Sequence, residues 1–181
     1  MLLLLVLAAC DSGPGDSDTD SGAIGCFDRA PTVTIGGSGV DAEGRPTWTP
    51  MDEGSEQVMV HGPQGGWHLL ASADVHAMEQ IVTLVYTVEW PARGDVELSR
   101  GSFRVMLVAD ESGCGGVYAG MLGVLDVSEL VDGEANTPPE LLAGETLLIR
   151  ITATDGEGRE AADTRSVIAA LDPADLPDTG G

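Results

Sequence analysis

Two of the three histidines in this sequence flank a glycine-rich segment that also carries a tryptophan and a glutamine. The segment reads His61-Gly62-Pro63-Gln64-Gly65-Gly66-Trp67-His68. Imidazole nitrogens are common ligands of transition metals, and small-molecule sites combine aromatic surfaces with a few polar groups. The candidate ligand-binding residues are therefore His61, Gln64, Trp67 and His68.

A strand hairpin can position these groups. If residues 57–61 and 67–76 pair, His61 lies opposite Trp67 and diagonal to His68, with roughly 7–8 Å between the Cα atoms. A catalytic zinc takes three protein ligands, and the remaining histidine, His76, lies about 26 Å further along the strand. Three interpretations stay open: a structural loop with Trp67 in the core, a ligand-binding loop, and a metal site. The sequence favours the loop and predicts no bound transition metal.

A second group of metal-ligating side chains occurs at Asp155 and Glu157, in the run Asp155-Gly-Glu-Gly. Carboxylates bind calcium, but Asp and Gly are also the residues that a β-hairpin turn uses. Calcium is the only cofactor that the sequence suggests. The sequence has no Gly-x-Ser-x-Gly, His-Glu-x-x-His or Gly-x-x-x-x-Gly-Lys motif, so we expect a protein without catalytic activity.

The first nine residues form an uncharged apolar run that ends in small residues before Cys10. Such a run predicts an export signal. Leu7-Ala8-Ala9-Cys10 resembles the lipobox of bacterial lipoproteins. The resemblance implies a signal peptide over 1–9, lipidation of Cys10, and a lipid-anchored protein of the bacterial cell envelope, at the inner or the outer membrane. An ordinary signal peptide cleaved after Ala9, or a buried N-terminal strand, is the alternative.

Residues 10–25 are acidic and rich in glycine and serine, which predicts a flexible tether behind the lipidated cysteine. No later segment reaches the 18–20 apolar residues of a membrane-spanning helix, so the lipid is the expected membrane contact. Residues 172–181 read as a disordered acidic tail.

With Cys10 carrying lipid, Cys26 and Cys114 remain. Two cysteines of an exported chain in an oxidising compartment usually form a disulfide. The alternative is a pair of metal ligands, but zinc sites need closer spacing and further partners. We therefore predict a Cys26–Cys114 bond that attaches the end of the tether to the folded domain.

The charge balance excludes one class of partner. The chain has 30 acidic and 8 basic residues, for a formal net charge of −22. Nucleic-acid binders neutralise phosphates with clustered cations, and this chain has too few. We expect a partner that is an envelope protein or a ligand.

Period-two alternation of apolar residues predicts the fold class. Val82, Leu84, Tyr86, Val88 and Trp90 share one face of a strand. The other predicted strands are 32–36, 57–61, 67–76, 103–107, 117–125, 145–154 and 161–169. About eight short strands indicate an all-β domain over 26–171, folded as an antiparallel two-sheet β-sandwich.

The last two strands carry a further resemblance. Leu147 to Arg159, followed by Ala162 to Ala169, is similar to the closing hairpin of bacterial Ig-like and PKD-like domains, in which a strand ends in Thr-Asp and turns on glycine. The resemblance implies an Ig-like sandwich and carries no information about activity.

Together these features predict a membrane-tethered, non-enzymatic β-sandwich that binds a ligand or partner or has a structural role. The alternative is a small metal-binding protein or metal-dependent hydrolase centred on His61 and His68.

Overall fold

The computed structural model describes residues 25–62, 66–111, 113–127 and 139–172. Within these ranges no helix has the length and apolar character needed to span a membrane. The predicted signal peptide, Cys10, the tether through residue 24, and residues 173–181 lie outside them. The strands are β1 Thr32–Val40, β2 Pro46–Pro50, β3 Ser55–His61, β4 Trp67–His76, β5 Ile81–Trp90, β6 Val96–Met106, β7 Val108–Ala109, β8 Gly115–Leu125, β9 Thr146–Asp155 and β10 Glu160–Leu171.

The described chain is all-β, with helix α1 at Pro139–Leu142 and single 3-10 turns at Cys26–Asp28 and Pro91–Arg93. All eight predicted strands are present, but β6 begins at Val96 instead of residue 103. Two further strands, β2 and β7, were not predicted. β2 begins and ends with proline, which is typical of turns and edge strands, and it pairs only with β1.

The hydrogen-bonded order is β2-β1-β4-β3-β10-β9-β5-β6, with β8 paired to β4 and β7 to β8. β3 joins the two parts of this sheet. Its residues 60–61 pair antiparallel with β4, while residues 55–59 pair in parallel with β10. The prediction of purely antiparallel pairing is therefore wrong, because β3 and β10 are parallel, and hydrogen bonds link the strands into one curled, mixed sheet. Alternation reports the face of each residue and carries no information about its partner strand.

The curled sheet places β5 across the core from β4 and β8. Tyr86 of β5 is fully buried, and its hydroxyl donates a hydrogen bond to the carbonyl oxygen of Leu69 on β4, at 3.4 Å. Its ring lies against Gly123 of β8, where any Cβ would collide with it. Burial raises the pKa of Tyr86, so the phenol stays protonated and donates. The five apolar residues predicted on one face of β5 are all buried.

A disulfide joins Cys26 to Cys114, with 5.0 Å between the Cα atoms, as predicted. The carbonyl oxygen of Cys114 accepts a hydrogen bond from the amide of Ala77, just after β4. Next to the bridge, the guanidinium of Arg159 lies 4.0 Å from the centroid of the Phe27 ring. The segment before β1 is thus attached both to the end of β4 and to the β9–β10 turn.

Candidate functional site

The histidine segment joins β3 to β4, as predicted, with His61 opposite Trp67 and Val60 opposite His68. The rings of His61 and Trp67 lie 5.0 Å apart and are tilted by 44°. Successive side chains of a strand point to opposite faces, so His68 lies on the other face of the hairpin, with Val60. The two imidazoles therefore do not converge on one ligand. The fourth candidate, Gln64, lies outside the described residues.

His68 has a packing role. Its ring covers the buried Gly62, where a Cβ would collide with the imidazole. The absent side chain lets the imidazole lie directly on the backbone at the end of β3.

Trp67 is half-buried, not fully buried as predicted. It is the first residue of β4, where it pairs with His61 of β3 on one side and with Leu125 of β8 on the other. It packs against the core cluster with the remainder of its indole in solvent.

Replacing Trp67 by alanine should lower the free energy of unfolding by about 1–2 kcal/mol, because a fully buried aromatic ring costs about 3–5 kcal/mol to remove. Urea denaturation measures this value. The matched control is His61→Ala, which removes the exposed partner of the same ring pair and should cost less than the tryptophan variant. A Trp67→Ala loss below about 1 kcal/mol would mean that the indole contributes little packing.

Asp155 and Glu157, the calcium candidates, lie in the β9–β10 turn. Oδ1 of Asp155 accepts hydrogen bonds from the backbone amides of Glu157 at 3.0 Å and Arg159 at 2.9 Å. Its Oδ2 lies 2.6 Å from the Arg159 guanidinium and 3.4 Å from the Glu79 amide nitrogen. Protein donors therefore already occupy both carboxylate oxygens. Glu157 contributes its backbone amide to this network.

The electrostatics of Asp155 fit this structural role. Burial raises the pKa of the carboxyl, but the amides of Arg159 and Glu79 and the Arg159 guanidinium outweigh burial and lower it overall. Asp155 is thus a charged group that closes the hairpin. Among the described residues, no group of three or more His, Cys, Asp or Glu side chains is arranged to hold a metal ion.

Polar groups converge instead on the outer face of β6, β5 and β9. Thr87 of β5 lies directly opposite Arg100 on β6 and directly opposite Arg150 on β9. The surrounding side chains form a depression of about 200 Å³, which we call the Thr87 cradle. It is lined by Val85, Thr87, Glu89, Arg100, Arg150 and Thr152.

Two donors of the cradle are uncommitted. Thr87 is 5% exposed, and its Oγ1 has no hydrogen-bond partner in the part of the chain that the structure describes. Arg150 forms no ion pair with any residue in the described ranges, so its guanidinium remains available. Arg100 differs, because its Nε lies 3.0 and 2.9 Å from the two carboxylate oxygens of Glu97. That pairing raises the pKa of Arg100.

Sequence reasoning did not identify the cradle. The alternation of β5 correctly places Thr87 opposite its core face, but Arg100 precedes the strand predicted from residue 103. The only sequence pattern is the alternation of Arg150, Thr152 and Thr154 on β9, which surface strands commonly show.

No protein-family model matches the chain, and no curated protein matches its sequence.

Proposed function

We propose that this chain is a lipid-anchored, non-enzymatic binding protein of the bacterial cell envelope. The main observation that supports export is the Cys26–Cys114 disulfide, because such bonds form and persist in oxidising compartments. The lipobox-like Leu7-Ala8-Ala9-Cys10 supplies the anchor, with residues 1–9 as the signal peptide. Residues 10–25 then form the tether, which ends at the bridge.

The domain over 26–171 is an Ig-like sandwich in this proposal. Its support is the antiparallel β9–β10 hairpin, which pairs from Glu160 opposite Thr154 to Ile168 opposite Thr146. This is the segment that resembles the closing hairpin of Ig-like and PKD-like domains. The packing of Tyr86 against Gly123 supports two facing layers.

Binding is favoured over catalysis by the composition of the Thr87 cradle. Guanidinium and hydroxyl donors on neighbouring strands of a sheet hold a ligand in a fixed orientation. Glu89 is the only carboxylate among the lining residues. The cradle therefore supplies positioning and charge, which are the requirements of a binding site.

Replacing Cys10 by serine in the full-length chain, expressed in a bacterial host, should move the protein from the membrane fraction to the soluble fraction. The reason is that no other segment is apolar enough to anchor it. Fractionation and incorporation of labelled fatty acid measure the result. Ser12→Ala, which changes the same tether without removing the thiol, should stay at the membrane. A Cys10→Ser protein that remains membrane-bound contradicts the proposal.

A further inference from the structure

We propose that the Thr87 cradle is a carboxylate-binding subsite. The inference rests on the proposed binding function, since it names the chemical group that the binding face recognises. The ligand places one carboxylate between the Arg150 guanidinium and the Thr87 hydroxyl, and both donate hydrogen bonds to it.

The Thr87 hydroxyl is the first feature that favours a carboxylate ligand. Thr87 is only 5% exposed, and among the described residues its Oγ1 has no hydrogen-bond partner. Leaving a buried donor without a hydrogen bond is unfavourable. A ligand oxygen that accepts a hydrogen bond from this hydroxyl would therefore supply the missing partner. On the same outer face, Thr83 and Thr154 lie opposite each other in a more open part of the sheet and are less buried.

The Arg150 guanidinium is the second feature that favours a carboxylate ligand. A guanidinium presents paired N–H groups that match the two oxygens of a carboxylate. Arg100, on the other side of Thr87, is already paired with Glu97, so the two arginines differ in what they can bind. The uncommitted cation and the uncommitted hydroxyl are directly opposed across one strand pair.

The acidic neighbours decide between kinds of anion. Glu89 lines the cradle, Glu97 lies beside it, and the chain carries a net charge of −22. One negative charge is balanced by Arg150, but a second charge on the ligand faces these carboxylates without a free cation to offset it. The site therefore selects a monoanionic carboxylate over a phosphate dianion.

The size of the cradle sets how much of the ligand it holds. Its volume is about 200 Å³. Sites for whole drug-sized molecules occupy about 300–1,000 Å³. The cradle thus takes one functional group of a ligand.

The test is calorimetric titration of the full-length protein in non-ionic detergent at pH 8, with sodium acetate as probe and ionic strength held constant with sodium chloride. Acetate should bind saturably, with a dissociation constant of about 1 mM. Arg150→Gln and Thr87→Val should each weaken binding about tenfold, because each removes a hydrogen bond to a charged group.

The matched control is Arg104→Gln, on the same strand face but opposite Thr83, which should leave acetate affinity within about twofold. Circular dichroism verifies that each variant is folded. Three results would overturn the inference: no saturable acetate binding, equal losses in Arg104→Gln and Arg150→Gln, or tighter binding of inorganic phosphate than of acetate.

The carboxylate site and the lipid anchor are tested independently, so a negative result for one does not contradict the other. The titration uses detergent-solubilised protein and does not depend on the anchor. The fractionation of Cys10→Ser does not depend on the cradle.

Discussion

Replacing Cys26 and Cys114 together by serine should lower the free energy of unfolding by about 4–5 kcal/mol. The bond closes a segment with a sequence separation of 88 residues, so its main effect is to restrict the unfolded chain. Urea denaturation of the oxidised wild type and of the double variant measures the difference. The double variant should still unfold in one cooperative transition, because the buried core draws on most of the strands and includes neither cysteine.

Two further measurements make this prediction specific to the bridge. The wild type in reductant should show the same loss as the double variant, and Cys10→Ser, a cysteine change outside the bridge, should leave the free energy of unfolding unchanged. Titration of two free thiols at positions 26 and 114 in native, oxidised protein would disprove the bond.

Replacing Asp155 by asparagine should lower the free energy of unfolding by about 3 kcal/mol, since removing one partner of a buried ion pair leaves the other uncompensated. The Asp155 side chain is 0% exposed and that of Arg159 is 22% exposed. Two nitrogens of this guanidinium, Nε and Nη1, already have no hydrogen-bond partner within the described ranges. Chemical denaturation at neutral pH measures the loss.

The loss should depend on pH in a defined direction. The pKa of Asp155 is lower in the folded protein than its ordinary value, so the folded state favours the charged form. Its contribution is fully present above the unfolded pKa, about 3.9, and is lost as the pH falls through the lower folded value. The difference between wild type and Asp155→Asn should therefore be constant above about pH 5 and shrink below about pH 4.

Glu157→Gln is the matched control in the same turn. Its side chain is exposed and only its backbone amide joins the network, so stability should change little. Equal losses in the two variants, or restoration of either by calcium, would replace the hairpin role of Asp155 with a metal-binding one.

The sequence predicts strands well where one face is continuously apolar. β4 and β5 have the expected bounds, and the pairing of His61 with Trp67 follows from their spacing about a short turn. The parallel pairing of β3 with β10 could not be predicted. Both strands alternate as any half-buried strand does, and nothing in that pattern identifies a neighbour or its direction.

For the candidate site, too, the sequence does not reveal which residues come together in the folded protein. His61 and His68 attract attention because chemically distinctive residues lie close in the sequence, yet adjacent strand positions separate them by face. The cradle is built from threonine and arginine, which are ordinary on strand surfaces. Only the register of β6 and β9 against Thr87 makes them a site.

The pairing of β3 with β10 also constrains the order of folding. Ser55 lies beside Val167 and Met59 beside Leu171, so strands separated by more than a hundred residues must meet before the sheet is complete. Non-local parallel pairing is expected to form slowly, because the entropy cost of closing a long loop comes before the stabilising contacts between the strands are made. β3 can pair with β4 as soon as both are formed, but its residues 55–59 gain their partner strand only when β10 joins the sheet. We therefore expect the pairing of β3 with β10 to be among the last contacts of the sheet to form during folding.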